Sequence, residues 1–310
     1  MTTIFVVGSY VEALTIRVPR LPALGESLVG DGLDIGPGGK GSNQAIAAAR
    51  LGADVRLLAC VGDDVFGERA LRLYADEGLH TAHVHRIAGA HSGVGFVNVL
   101  PSGDNWITVD MGANLRLTPQ HVADCAALID KSDILMAQFE TPAATVAAAL
   151  ALAKESGVMT LLNPAPARAA DPEMLANVDI LTPNASEARL LLGLPPDAAV
   201  AESELARRLL DYGVGKVVIT QGERGALIVD AGGATQIPAV PVQAVDVTGA
   251  GDSFNAALAV SLGEGLSLLD AARVGARAGA FAATRLGVIA GLPTRAQLDR
   301  FPDADAGATT

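Results

Sequence analysis

A doubly wound, mostly parallel α/β sheet flanked by helices is the fold class this sequence predicts, and three observations carry the prediction. Short apolar runs recur at 4–7, 55–61, 134–137, 158–162, 180–181 and 217–219, unbroken enough for strands covered on both faces. Helical stretches at 42–51, 145–156, 185–192 and 202–212 separate them, which is the alternation of a parallel sheet whose ligands sit beyond the carboxyl ends of its strands. The 310 residues are half hydrophobic but only 4% aromatic, so a core of that length is built from Ala, Val, Leu and Ile.

The elements follow in chain order. Ile4 to Val7 ends at Gly8, so it reads as a first buried strand and is too short for a signal peptide or a membrane span. Residues 10–35 carry no helical pattern. Val94 to Leu100 and Trp106 to Asp110 flank the turn-rich Pro101-Ser-Gly-Asp-Asn105, the pattern of a hairpin. The Ala-rich run from Ala143 to Ala153 contains Thr145 and leads into Lys154-Glu155, which makes it a soluble helix. Residues 220–225 form a turn before the run Ala226 to Asp230, and Asn255 onward reads as a buried helix. No linker or repeat divides the chain, so a single domain over 1–310 is expected, with 302–310 a frayed, disordered tail.

Charge narrows the function. Lys plus Arg number 22 against 34 Asp plus Glu, a net charge of −12 and a pI of about 4.8. Such a surface repels nucleic acid and anionic membranes, so neither is an expected partner. Cys60 and Cys125 fit no disulfide or metal spacing, which points to a reducing, cytoplasmic setting.

The chemistry concentrates in Asp246-Val-Thr-Gly-Ala-Gly-Asp-Ser-Phe254. Gly249, Ala250 and Gly251 open a helix, where unpaired backbone amides make an anion site suited to phosphate. Asp252 lies beside that site as a proton acceptor, and the pairing is what phosphoryl transfer to an alcohol requires. An ordinary acidic first turn would have the same composition. Earlier, Gly36-Pro-Gly38-Gly-Lys-Gly41 satisfies G-x-G-x-x-G, yet Leu33-Asp-Ile-Gly and Pro37 make a poor context for the strand that should precede it. A dinucleotide fingerprint needs that strand, and a P-loop needs Ser or Thr after the lysine where this chain has Gly41.

Seven motifs then occur in one order: Gly38-Gly-Lys-Gly-Ser-Asn-Gln44, Ala137-Gln-Phe-Glu140, Asn163-Pro-Ala-Pro-Ala, Thr182-Pro-Asn-Ala-Ser-Glu187, Ile219-Thr-Gln-Gly-Glu-Arg-Gly225, the run above, and Thr284-Arg-Leu-Gly287. With Val6-Val-Gly-Ser9 at the start, the chain resembles the ribokinase or PfkB family of sugar and nucleoside kinases from residue 6 to about 291. The resemblance implies a ribokinase-like fold with a small β-sheet lid, drawn from about 10–35 and 92–112, that closes over the sugar and often contributes to a homodimer. It implies ATP and Mg²⁺, with Asp252 as base and the amides of Gly249 to Gly251 stabilising charge. Gly39, Lys40, Gly41, Asn43 and Glu140 would meet the sugar; Asn184, Thr220, Gly222, Gly225 and Gly251 the nucleotide; Glu187 the water shell of Mg²⁺. Glu140 could instead support the helix after Pro142, and Asn184 with Glu187 also form a capping-box pattern. Asp246, Thr248, Ala282, Arg285, Gly287 and Gly291 match the positions that hold K⁺ as a possible activator, Gly291 standing where Ser is commoner.

One departure bears on the substrate. Where ribokinases carry an Asn and, two residues on, an Asp that hold sugar hydroxyls, this chain has Val11 and Ala13. Glu12 between them points to the opposite face by strand alternation. A hydroxyl left unpartnered costs about 1–3 kcal/mol, so a pentose or deoxypentose with an apolar face toward these residues is the expected acceptor beside ribose itself. A nucleoside kinase, or a sugar- or nucleotide-binding protein without turnover, are the alternatives.

Overall fold

The computed structural model describes residues 1–101, 105–169 and 171–304; the middle of the expected 101–105 turn and residues 305–310 of the expected tail lie outside them. The chain opens with β1 (Thr3–Val7), then β2 (Val11–Arg17) and β3 (Asp31–Gly38), and enters α1 (Lys40–Arg50). It continues through β4 (Asp54–Gly62), α2 (Val65–Asp76) and β5 (Val84–Ile87), then β6 (Gly93–Val99) and β7 (Asn105–Asp110). After α3 (Pro119–Asp124) and α4 (Ala126–Ile129) come β8 (Ile134–Gln138), α5 (Ala143–Glu155), β9 (Met159–Asn163), α6 (Pro172–Leu175) and β10 (Ile180–Leu181). The last third holds α7 (Ala185–Leu191), α8 (Glu202–Leu210), β11 (Lys216–Thr220), β12 (Ala226–Asp230) and β13 (Gly233–Ile237). Helices α9 (Ala250–Gly263), α10 (Leu268–Ala283), α11 (Val288–Gly291) and α12 (Arg295–Asp299) close it.

Nine strands form the large sheet, in the order β13-β12-β11-β10-β9-β8-β1-β4-β5. Pairing is parallel except at the β11, β12 and β13 edge, which is antiparallel. The chain first builds outward from β1 through β4 and β5, then returns to β8 on the other side of β1. The crevice between β1 and β8 is therefore the topological switch point, where an open α/β sheet binds its ligand.

Alternation along each strand divides the core into two. Ile4 and Val6 face the cluster that includes Ile46, Tyr74, Leu258 and Ala278, while Phe5 and Val7 face the one that includes Val146, Leu150 and Leu205. Small side chains let the helices pack closely, as where Gly275 of α10 leaves only 3.0 Å between its missing Cβ and the Phe254 ring. Sequence periodicity overlooked α2, α3, α4, α6, α10, α11, α12, β5 and β13, found a poor context for a strand before the Gly-rich turn although β3 runs into it as far as Gly38, and placed the start of α1 at Ser42 rather than Lys40. Helix α9 likewise begins earlier than the apolar run from Asn255, at Ala250. At the expected tail, Asp303 forms an ion pair with Arg277 at 2.8 Å.

A separate four-stranded sheet, β3-β2-β6-β7, stands on the large one, and the predicted hairpin is its β6–β7 pair. Its base is fixed at two points. The buried Asn114 amide accepts from the Tyr10 N–H at 2.9 Å and donates to the Tyr10 carbonyl at 2.7 Å and the Met111 carbonyl at 2.8 Å. Beside it, a side chain on Gly93 would meet the Tyr10 carbonyl at 2.5 Å. The second point is Glu12, fully buried on the opposite face from Val11 and Ala13, as alternation predicts. It accepts from the Tyr10 hydroxyl and pairs with Arg69 of α2 at 2.8 Å. Burial, then Glu12, push the Tyr10 phenol far up, so it stays a donor.

Candidate active site

The site forms where strand ends and helix starts converge over the switch point. Beyond β1, Gly8 and Ser9 run against the first turn of α1: Ser42 N–H and its hydroxyl both donate to the Ser9 carbonyl, at 2.9 and 2.6 Å. Gly39 precedes the helix at φ +94° with no side-chain cap. The negative partner for this helix start comes instead from Glu140, beyond β8, which accepts the Lys40 N–H at 2.7 Å and the Ser9 hydroxyl at 2.5 Å. Glu140 thus complements the α1 dipole, and the helix after Pro142, for which the sequence offered it as support, begins without a side-chain cap.

Asp252 sits buried in the first turn of α9. One carboxylate oxygen accepts from the Asn43 amide at 2.8 Å, the other from the Gln44 amide at 3.0 Å. Gly249 enters the helix at φ +82°, a left-handed conformation that favours glycine. The Ser253 N–H is the first in α9 to reach a helical acceptor, Gly249 O, and Ala250 N–H turns back to Val247 O. The amides of Gly251 and Asp252 find no acceptor among the described residues, and a Cβ on Gly251 would meet nothing within 4 Å. This open, donor-lined start has the character of an anion cradle.

Lys40 lies in the field of three carboxylates. Burial alone would lower its pKa, but Asp252, Glu140 and Glu187 outweigh burial and raise it, so the ammonium stays charged. Burial raises the carboxyl of Glu140, and likewise that of Glu187 against the pull of the Asn184 amide and Lys40. The capping box expected at α7 is present: Glu187 accepts from Asn184 N–H and Asn184 from Glu187 N–H, each at 2.8 Å. One Glu187 oxygen suffices for that bond. Thr220 at the end of β11 bridges to Asn184. The turn after it holds Gly222 at φ +57° and Gly225 at φ +89°, the latter so close to Ile237 O, 2.1 Å from an added Cβ, that no side chain fits.

The residues matched to K⁺ also come together. Asp246 accepts from Thr248 N–H at 2.9 Å and Gly287 N–H at 3.0 Å. Burial alone would raise its carboxyl, but the bonds from Thr248 and Gly287 outweigh burial and hold it below the usual range. Gly291 lies against Ala282, whose carbonyl would be 3.3 Å from an added Cβ. The Arg285 guanidinium is folded over the Phe281 ring at 3.6 Å, which leaves only its backbone to face the loop.

Sequence reading gave no role to Ser9, Gln44, Gln138 or Asn163, which are buried polar side chains at the same rim. Gln44 and Asn163 stand inside sequence motifs, but Gln44 bonds to residues 119 and 208 positions distant in sequence. Nothing local marks such bonds.

The model of the pfkB family carbohydrate kinases matches residues 1–295. A ribokinase of Haemophilus influenzae is 38% identical over 299 residues, covering 96% of this chain and 98% of its own length. A deoxyribokinase of Salmonella typhi is 36% identical over 252 residues, 81% of this chain and 82% of its own. The structure of Arabidopsis thaliana ribokinase complexed with ribose and ATP superposes with a TM-score of 0.89 at 28% identity, covering 97% of this chain and 98% of that one.

Proposed function

The chain belongs to the pfkB family of carbohydrate kinases, and from that premise we propose that Asp252 is the base of an ATP-dependent phosphoryl transfer to a primary hydroxyl of a pentose or deoxypentose. The observation that carries the assignment is the buried Asp252 carboxylate, oriented at both oxygens, in the first turn of a helix whose Gly251 and Asp252 amides are free among the described residues. The acceptor proton passes to Asp252 as its oxygen bonds to the γ-phosphorus, and the bond to the bridging oxygen breaks to release ADP. The helix start from Gly249 to Gly251 and the Lys40 ammonium face the charge that spreads over the transferring group. Gly39, Gly41, Asn43 and Glu140 surround the acceptor; Asn184, Thr220, Gly222 and Gly225 admit the nucleotide through close backbone approach.

Glu187 keeps an oxygen free for a water of Mg²⁺, which neutralises phosphate charge when bound. The carbonyl of Ala282 beside Gly291, with the loop pinned by Asp246 to Thr248 and Gly287, fits K⁺ held through backbone oxygens. An ion held there would add fixed positive charge beside the start of α9.

The small sheet supports the acceptor class and a partner. On the face with Val11 and Ala13, pairing brings in Gly36, Gly95 and Val109, an apolar floor of small residues. A sugar lacking a hydroxyl there forfeits no hydrogen bond, while ribose leaves one unpaired. ADP release with Mg²⁺, measured for D-ribose, 2-deoxy-D-ribose, hexoses and nucleosides in K⁺ and in Na⁺, tests the reading. Deoxyribose is expected to match or exceed ribose in kcat/KM, with faster turnover in K⁺. Turnover of nucleosides alone would overturn the acceptor class, and turnover of none would favour a binding protein.

On the other face Ile35, Phe96 and Trp106 are 40%, 52% and 55% exposed, an apolar surface of the kind that marks an interface. A second copy of this chain covers it, giving a homodimer through the small sheet. Sedimentation is expected to show a dimer that Trp106→Glu converts to monomer; a monomeric wild type would refute it. Cys60 and Cys125, whose thiols burial pushes up to about 12 and about 11, support a reducing cytoplasmic setting. No described helix is long and apolar enough to cross a membrane.

A further inference from the structure

Three buried carboxamides lie behind Asp252 and form one connected set. Gln44 Nε2 donates to Asp252 Oδ1 at 3.0 Å and to Asn163 Oδ1 at 3.1 Å. Gln44 Oε1 accepts from Gln138 Nε2 at 2.7 Å, and Asn163 Nδ2 donates to the Thr182 carbonyl at 2.9 Å. Gln44 is 0%, Gln138 1% and Asn163 7% exposed, so water does not compete for these bonds. They reach from α1 to the ends of β8 and β9 and to α9.

The direction of every bond in the set is forced. An ionised carboxylate only accepts, so Gln44 must turn its NH₂ to Asp252 and its oxygen away. The oxygen then meets an NH₂, that of Gln138. At the other end the Thr182 carbonyl, also acceptor-only, obliges Asn163 to turn its NH₂ outward and its oxygen to Gln44. Two fixed acceptors thus determine three amides: Gln138 Oε1 is left without a partner, and flipping any of the three would set like atoms against each other.

We propose that Gln44, locked by Gln138 and Asn163, is a positioning residue that fixes the Asp252 carboxylate for proton transfer. Asn43 holds the second oxygen, so the carboxylate plane is set by two donors from adjacent residues of α1. Gln138 acts only through Gln44: it holds the amide in the donating orientation. This inference rests on Asp252 being the base, and its consequences separate from that reading.

The experiment combines kinetics with crystal structures of the full chain. In Gln44→Met, which keeps length and removes both the NH₂ and the C=O of the amide, kcat with 2-deoxy-D-ribose or D-ribose is expected to fall about 10- to 100-fold, as misplacement of a reacting group does. KM for acceptor and for ATP should stay within about three-fold. Gln138→Glu provides the orientation test. The introduced carboxyl, when ionised, only accepts, so it pulls the Gln44 NH₂ away from Asp252; when protonated, it donates as the native amide does. The kcat of this variant relative to wild type is therefore expected to be low at pH 8 and to recover as pH falls toward 6, since burial raises a carboxyl pKa. Gln138→Met should show no such recovery. Unchanged kcat in Gln44→Met, or a loss carried by acceptor KM, would overturn the proposal. If the wild type turns over no acceptor at all, the kinase reading fails and the crystal structure of Gln44→Met decides: a rotated Asp252 carboxylate supports the positioning role, and an unmoved one overturns it.

Discussion

Asp252→Asn is expected to lower kcat by about 10³-fold, the range in which loss of a general base falls, with KM for acceptor and ATP changed only a few-fold. The substitution keeps the size of the side chain and its place in α9, but removes the proton acceptor. It also replaces one accepting oxygen by an NH₂, which then confronts an amide of Asn43 or Gln44. That donor against donor contact costs about 1–3 kcal/mol, so a modest fall in melting temperature accompanies the loss of turnover. ADP release and thermal melting on the same preparation separate the two effects. A variant retaining about a tenth of the wild-type kcat would show that Asp252 is not the base.

Gly41→Ala is expected to produce a large loss of stability from adding one methyl group. Its Cβ would lie 2.2 Å from the Ser9 nitrogen and 2.3 Å from the Gly8 Cα, and a Cβ on Gly8 would reciprocally lie 2.7 Å from the Gly41 Cα. These are main-chain atoms of a buried strand end and a helix start, so no side chain can swing away. The cost is about 3 kcal/mol, at the upper end for overpacking. The displaced helix start carries Lys40, Asn43 and Gln44, so kcat falls with stability. Gly36→Ala is the control: a Cβ there would meet nothing within 4 Å, and denaturant unfolding should distinguish the pair by at least about 2 kcal/mol. Equal stabilities would refute the close backbone contact.

Part of the rim was legible because the motifs at Ala137-Gln-Phe-Glu140, Asn163, Thr182-Pro-Asn184 and Ile219-Thr220 each end an apolar strand, and a parallel sheet brings the carboxyl ends of its strands to one side. Glu140 and Asn184 therefore share one rim on sequence grounds alone. What escaped was the pairing among the rim residues. Glu140 completes the start of a helix 100 residues earlier, and Gln44 reaches across 208 residues to Asp252. Such bonds depend on tertiary closure and leave no periodicity in the chain. Helix α10 was missed although its buried face, Ala271, Ala272, Gly275, Ala278 and Ala282 with Phe281, recurs at helical spacing. The opposite held for Glu12, whose direction strand alternation gave correctly, while its partner Arg69 was not foreseeable.

The double clasp of Asn114 on Tyr10 settles where the small sheet can bend. With both main-chain polar groups of Tyr10 held by one buried amide, and Gly93 pressed against its carbonyl, the root of β2 has no torsional slack. Farther out, the β2–β3 register shifts between Thr15 and Arg17, a break in the ladder of the kind that bends a strand. The sheet is thus a cantilever, fixed at its mounting and irregular toward its tip, which under the proposed sugar-kinase reading would hold Val11 and Ala13 at constant height over the acceptor while the outer strands give.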